Sequence, residues 1–315
     1  MKSIKGRHFL SLMDYSPEEI AYLLDLSDKV KSEKRAGIYK KRLLNKNVAL
    51  LFEKPSTRTR CAFTVACADE GAHPEYLGVS DLQLGRKESV EDTARVLGRM
   101  FDGIQYRGFL TETLNKLAEY ARVPVFNGLT DDDHPTQALA DLMTIRERFG
   151  KLKNIGLTFV GDGRSNTCNA LLIATSKMGM RFCIAAPKPL MPKPELVSKC
   201  QEHAAKSGAT IRLTTDVRDG VANADVVYTD VWVSMGEDLI AAERLRLLSP
   251  YQVNDELMAL AAKDAVIMHD LPAVKGYEVT EAAFERHADV IFEQSENRLH
   301  TIKAMMIATL AGDDS

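Results

Sequence analysis

The chain has 315 residues, 45% of them hydrophobic and 27% charged, which suits two folded domains of roughly 150 residues each and excludes a disordered chain. Its 41 basic and 44 acidic residues leave a net charge of −3. That disfavours a bulk nucleic-acid or membrane-surface binder, which needs a basic excess, but leaves room for a local basic pocket.

No apolar run reaches the roughly 20 residues of a membrane helix, and no signal-peptide cleavage pattern follows the N-terminus. Five cysteines without a Cys-x-x-Cys pair fit reduced thiols in a cytoplasmic protein better than disulfides or a zinc site. Cys61 and Cys67 fall in an apolar helical pattern and are expected in the core.

In chain order, Ser16-Pro17-Glu18-Glu19 has the form of a capped helix start, with Ile20, Leu23, Leu24 and Leu26 behind it at helical spacing. Asn47–Glu53 reads as a buried strand, Lys54-Pro55 as a turn, and Ser56 to about Asp69 as a helix. Helices follow at Glu91–Met100, Glu112–Ala121 and Thr136–Phe149, with short strands at Gly103–Tyr106 and Val123–Phe126. After a polar joint at Gly150–Lys153 the alternation restarts. Strands are expected at Ile155–Val160, Arg181–Ala186, Thr210–Thr214, Val226–Thr229 and Ala265–Met268, with one more at Asp289–Phe292. Helices are expected at Asn166–Met178, Lys193–Ser207, Glu281–His287 and from about Asn297 to Ala311.

Strand–helix alternation in both halves predicts the α/β class: two α/β domains with mainly parallel sheets, residues 1–150 and 151–296. Such sheets bind ligands beyond the carboxyl ends of their strands. The residues to weigh are therefore Ser56, Arg107, Asp162–Asn166, Asp230–Met235 and His269–Leu271.

In Glu53-Lys54-Pro55-Ser56-Thr57-Arg58-Thr59-Arg60 a strand ends, a turn follows and a helix opens with hydroxyls and guanidiniums in its first turn. Unpaired N–H groups and the positive end of the helix dipole favour an anion there. Basic residues oppose that dipole unless an anion is bound. An ordinary Ser-capped helix with solvated arginines remains the competing reading. The segment is not a Walker A loop, since no Gly-Lys-Ser/Thr closes it.

Ser56-Thr57-Arg58-Thr59-Arg60 resembles the carbamoyl-phosphate signature of the aspartate/ornithine carbamoyltransferase family. In the same order come Gln83 with Lys87, Tyr106-Arg107, His134-Pro135-Thr136-Gln137, Asp162 to Asn166, Asp230 through Ser234-Met235-Gly236 to Glu237, His269-x-Leu271-Pro272 and Glu296-Asn297-Arg298. The resemblance spans residues 7 to 311, and Ser234-Met235-Gly236 resembles the ornithine branch in particular.

The resemblance implies that Ser56, Thr57, Arg58 and Thr59 hold the phosphate, with Gln83 lent by a neighbouring subunit of a homotrimer. Arg107 and His134 are directed at the carbonyl oxygen, Gln137 at the carbamoyl NH₂, and Arg298 enters from the last helix. Asn166 and Met235 are expected to take the carboxylate of ornithine, and Asp230 and Ser234 its α-amino group. Leu271 borders carbamoyl phosphate, its backbone carbonyl beside the reacting amine. The first and last helices are expected to bridge the domains, with residues 297–315 packing back on the first. No metal or cofactor is expected, because phosphate leaves readily once its charge is met. The expected partners are thus carbamoyl phosphate and L-ornithine, with no nucleic acid and no membrane.

Taken alone, His134 after Asp131-Asp132-Asp133 also reads as a helix-start residue, Arg107 as a surface arginine, and Gln83 says nothing. Gly161-Asp162-Gly163-Arg164-Ser165-Asn166 superficially resembles a dinucleotide loop, but Asn166 stands where the third glycine belongs. A nicotinamide oxidoreductase is therefore disfavoured. Trp232 is expected to serve packing.

One position departs from the ornithine branch, which has Cys where Asp270 stands. A carboxylate beside an alkyl ammonium of pKa about 10 stabilises the charged, unreactive form. Alternatively Asp270 acts as a general base, or pairs with an arginine such as Arg58 and leaves little activity. Ornithine is the expected acceptor. Another diamino acid or diamine, or a catalytically silent family member, stands as the alternative.

Overall fold

A computed structural model describes residues 3–81, 88–233 and 241–311. It divides into two compact units, Met1–Met143 with Glu296–Ser315, and Thr144–Ser295.

The first unit contains α1 (Pro17–Arg35), β1 (Asn47–Phe52), α2 (Thr57–Glu70), β2 (His73–Gly78), α3 (Val90–Met100), β3 (Gly103–Arg107), α4 (Thr111–Ala121), β4 (Val125–Leu129) and the start of α5 (Pro135–Phe149). Its sheet runs β2-β1-β3-β4, every pair parallel. Strands β3 and β4 are buried at every position, and β1 at all but its first. That is the burial of parallel strands covered on both faces, and it explains why their sequences run apolar instead of alternating. Leu51, Ile104, Leu97, Leu114 and Leu117 form a core between strands and helices.

The local signals act as expected. The Ser16 side chain accepts from the Glu19 N–H while the Glu19 carboxylate accepts from the Ser16 N–H, closing a capping box on α1. Ser56 caps α2 with a single bond, accepting from the Thr59 N–H at 3.2 Å. β2 has no counterpart in the expected elements. It lies at the sheet edge, is half exposed and contains Pro74, so it lacks the apolar run that marks its neighbours.

The second unit holds the rest of α5, then β5 (Gly156–Val160), α6 (Asn166–Lys177), β6 (Arg181–Ala185), α7 (Pro194–Ser207), β7 (Thr210–Thr214), α8 (Val217–Val221), β8 (Val226–Thr229), α9 (Ala241–Leu248), α10 (Asp255–Met258), β9 (Val266–Met268), α11 (Glu281–Arg286) and the start of α12 (Ala288–Met306). Its sheet runs β7-β6-β5-β8-β9, again wholly parallel. Val160, Val227, Ile267, Val279 and Phe284 centre its core.

Three expectations need correction. Asp289–Phe292 is not a strand but the opening of α12. Val290, Ile291 and Phe292 have strand propensity, yet the buried positions are Ile291, Gln294, Asn297 and Arg298, which is helical spacing. The strand expected at Val123 starts at Val125, after Pro124. Cys67 is buried as expected, but Cys61 is exposed.

Candidate active site

In the first unit the candidate residues follow the carboxyl ends of β1, β3 and β4. Ser56, Thr57, Arg58 and Thr59 occupy the N-terminus of α2, whose first turn contains no acid. Arg107 ends β3 and is buried. His134 and Gln137 flank the start of α5, and Arg298 comes from α12.

Two of these side chains meet on Thr59. Arg298 Nη2 donates to Thr59 Oγ1 at 2.8 Å and Arg107 Nη1 donates to the same oxygen at 3.3 Å. A hydroxyl offers two acceptor positions and one donor. Both acceptor positions are occupied by guanidinium donors, so the Thr59 hydrogen is the function left to serve an anion. Arg298 Nη1 also donates to Gln137 Oε1 at 2.7 Å, while Gln137 Nε2 donates to Asp141 Oδ1 at 2.8 Å. The two partners fix the amide orientation, and Oε1 keeps a second lone pair for a ligand NH₂.

His134 is buried, with Nδ1 3.4 Å from Thr136 Oγ1. Burial, followed by the charges of Arg298, Arg107 and Arg58, holds its pKa well below the usual histidine value. It is a neutral imidazole at neutral pH, surrounded by the positive charge of three arginines. Beside it the Asp133 carboxyl is pushed up to about 7 by burial. Arg60, the last residue of the signature, is turned to other use, its guanidinium 3.7 Å from the Tyr76 ring centre.

The Glu296-Asn297-Arg298 motif divides its work. Asn297 Oδ1 accepts from Lys31 Nζ of α1 at 2.7 Å in a buried bond, Glu296 accepts from His300 Nε2 at 3.0 Å, and only Arg298 reaches the α2 terminus.

In the second unit the candidates follow β5, β8 and β9. Gly161 has φ +136, a conformation that L side chains rarely adopt. A Cβ on Gly163 would lie 2.8 Å from the Leu190 carbonyl. Turn shape and packing thus account for both glycines. Asp162 is tied up by the Arg164 N–H at 2.9 Å and by the Arg244 guanidinium. Trp232 packs with Leu190 and Leu248, as expected.

Asp230 follows β8, and Asp270 follows β9. Their carboxyls are in side-chain hydrogen-bond contact. Burial, the charge of Asp270 and that contact raise the Asp230 pKa well above the carboxylate range, and the charge of Glu278 adds to the effect. Asp270 Oδ2 accepts from Thr167 Oγ1, in the first turn of α6, at 3.1 Å. Asn166 Oδ1 lies 3.3 Å from the same hydroxyl.

His269 supports this corner. Its Nδ1 accepts from the Leu271 N–H at 2.9 Å, and its Nε2 faces Glu278 Oε1 at 3.2 Å. The proton therefore sits on Nε2, and Nδ1 is no cation for Asp270. The same N–H bond holds Leu271 at φ 59, in the left-handed region. Asp230, His269 and Asp270 offer potential metal-ligand atoms within 4.8 Å of one another. With Nδ1 committed to Leu271, two carboxylates remain, fewer than the three or four protein ligands of an ordinary metal centre.

Thr167, Glu278 and Gln294 were not singled out from the sequence. Gln294 Oε1 accepts from the His269 N–H at 3.0 Å. Only Thr167, next to Asn166, had a local signal. Gln83, Ser234 and Met235 lie outside the described residues, as do Lys87, Gly236 and Glu237.

Residues 7–147 match the carbamoyl-P binding domain of aspartate/ornithine carbamoyltransferase, and residues 153–309 match its Asp/Orn binding domain. The chain is 55% identical over 309 residues to an ornithine carbamoyltransferase of Caldanaerobacter subterraneus, covering 98% of this chain and 99% of the relative. It is 52% identical to a catabolic ornithine carbamoyltransferase of Bacillus licheniformis, covering 99% and 98%. The solved ornithine carbamoyltransferase of Pyrococcus furiosus superposes with a TM-score of 0.96 at 42% identity, covering 99% of this chain and 100% of that one. With both domain models matched in order and full-length relatives above half identity, the chain belongs to the aspartate/ornithine carbamoyltransferase family.

Proposed function

We propose that the chain transfers the carbamoyl group of carbamoyl phosphate to the side-chain amine of L-ornithine, giving L-citrulline and phosphate. The observation that carries this reading is the convergence of Arg107 and Arg298 on Thr59 Oγ1 at the α2 N-terminus, around a neutral His134. Carbamoyl phosphate carries about two negative charges near neutral pH, and this end of the first sheet is built from donors.

The assignments follow from what each group has left to give. Ser56, Thr57, Arg58 and Thr59 take the phosphate, and Arg298 bridges the phosphate site to Gln137. Gln137 Oε1 takes the carbamoyl NH₂. Arg107 and His134 face the carbonyl oxygen. As the amine attacks, that oxygen gains charge, and one fixed donor there is worth about 3 kcal/mol. A neutral His134 donates without the cost of burying a fourth cation. In the second unit Asn166, with Met235, meets the acceptor's carboxylate, and Asp230, with Ser234, its α-ammonium. Leu271 is assigned to carbamoyl phosphate on the resemblance alone. We assign carbamoyl phosphate to residues 1–150 with 297–315, and the acceptor to residues 151–296.

The Asp230–Asp270 contact favours a second reading, in which the acceptor is a different diamino acid or a diamine. The five cysteines, none of them paired, support a cytoplasmic setting, and no helix among the described residues is long and apolar enough to cross a membrane. A homotrimer, with Gln83 completing a neighbour's site, follows from the resemblance and is read by light scattering. Carbamoyl transfer is reversible, and the chain fits a biosynthetic or a degradative role.

The test is phosphate release from carbamoyl phosphate with ornithine, lysine, 2,4-diaminobutyrate, putrescine and aspartate in turn. Ornithine should give the highest kcat/KM. Preference for aspartate or putrescine would overturn the reading, and the absence of any ureido product would make the chain a silent member of its family.

A further inference from the structure

Transfer needs a free amine, but an alkyl amine is almost wholly protonated near neutral pH. Something must take that proton. Among the described residues, the acceptor end of the second unit holds one side chain placed for the task, and the proposed transfer to ornithine supplies its substrate.

Asp270 combines three features. Its Oδ2 is fixed by the Thr167 hydroxyl at 3.1 Å. Its Oδ1 is buried and receives no donor among the described residues. The Asp230 carboxyl is in hydrogen-bond contact with Asp270. Burial, the Asp270 charge and that contact push the Asp230 carboxyl well above the carboxylate range, so the proton of the pair rests on Asp230 and Asp270 is left as the acceptor.

The surrounding groups do not compete for this role. Glu278 accepts from the Val274 N–H and faces His269 Nε2. His269 Nδ1 is occupied by the Leu271 N–H. Asp162 is paired with Arg244. The Cys168 thiol is pushed well above its usual value by burial and by the charges of Asp162 and Asp230, and is no base.

We propose that Asp270, positioned by Thr167, is the base that removes the proton from the acceptor's terminal ammonium. The N–H bond breaks with its electron pair left on nitrogen, and the proton forms an O–H bond on Asp270. The freed pair attacks the carbamoyl carbon. The C–O bond to phosphate then breaks with its pair on the phosphate oxygen. The second ammonium-type proton leaves the nitrogen with the phosphate as hydrogen phosphate, and Asp270 returns the first proton to solvent.

A base and a mere ion-pair partner have opposite signatures. A base lets the ammonium form react, so kcat reaches its plateau well below the amine's pKa. An ion-pair partner raises the amine's pKa and pushes the rise of kcat to higher pH.

The experiment measures kcat for citrulline formation, with both substrates saturating, from about pH 6 to about pH 10. Wild type is compared with Asp270→Asn and Thr167→Val. Wild type should plateau below about pH 8, while Asp270→Asn should climb about tenfold per pH unit toward the amine's pKa. The gap should be about 10²- to 10³-fold at pH 7 and close to within a few-fold near pH 10, which also shows the variant to be folded. Thr167→Val loses a donor to the carboxylate, so its acid limb should move to higher pH. Asp270→Cys, checked by thermal stabilisation with carbamoyl phosphate, replaces Asp270→Asn if that variant does not fold, and should rise at higher pH than wild type.

Parallel profiles, or a wild-type rise at higher pH than Asp270→Asn, would overturn the role of Asp270 and leave ornithine transfer standing. Failure of wild type to make citrulline at any pH would overturn the transfer reading and this proposal with it.

Discussion

The first unit gathers positive charge where its sheet ends, and the second gathers negative charge at the equivalent place. Arg107 and Arg298 converge on Thr59 in one, while Asp230 and Asp270 share a contact, with Glu278 nearby, in the other. Both units are wholly parallel sheets, and both open a Ser-capped helix directly after a strand. The scaffold is the same, so the difference in ligand is written in the side chains that follow the strands. One end complements an anionic carbamoyl donor, and the other complements an amine-bearing acceptor.

Substitutions should therefore act on one substrate at a time. The largest effect is expected from Arg107→Ala, which on the proposed reading removes a fixed donor from the carbonyl oxygen. kcat/KM should fall by about 10²- to 10³-fold, with the far-ultraviolet circular dichroism retained. Near-normal turnover would remove Arg107 from the mechanism.

Asp133→Asn probes the cost of an acid inside the basic unit. Burial raises the Asp133 carboxyl to about 7 from 3.8. Between those values the native state holds the proton and the unfolded state does not, so stability falls as pH rises through the window and levels off above it. Asp133→Asn should lack that slope, and denaturant titrations across the window should differ by up to a few kcal/mol on the order of. A difference independent of pH would contradict the assignment.

Arg298→Lys keeps the charge but loses the fork that joins Gln137 to Thr59. KM for carbamoyl phosphate should rise about tenfold or more, at roughly 1.5 kcal/mol for a lost charged hydrogen bond, while KM for ornithine stays fixed. The smallest effect belongs to Glu278→Gln, which removes one negative charge near Asp230. KM for ornithine should rise several-fold and that for carbamoyl phosphate should not. If either variant shifts both constants together, the separation of charge between the units does not govern binding.

Much of this was legible before any coordinates. Buried strands such as β1 and β5 are short apolar runs between turn signals, and Ser16 and Ser56 announce their helices by hydroxyl and spacing. β2 escaped because an edge strand needs no apolar pattern. Asp289–Phe292 misled because β-branched and aromatic residues can also open a helix once tertiary packing selects one face.

The cationic half was legible because its motif is consecutive, from Ser56 to Arg60. The contact of Asp230 with Asp270 joins residues 40 positions apart (230 and 270) that follow the neighbouring strands β8 and β9, and only the sheet order brings them together. Thr167 and Glu278 escaped for the same reason. Their partners are fixed by topology, not by spacing along the chain.

The most direct test follows the carbon itself. Carbamoyl phosphate labelled with ¹³C, mixed with the protein and L-ornithine, is followed by nuclear magnetic resonance together with phosphate release. The label should move into the ureido carbon of citrulline, one equivalent for each phosphate freed. Label appearing as bicarbonate at the same rate with or without ornithine would contradict the account.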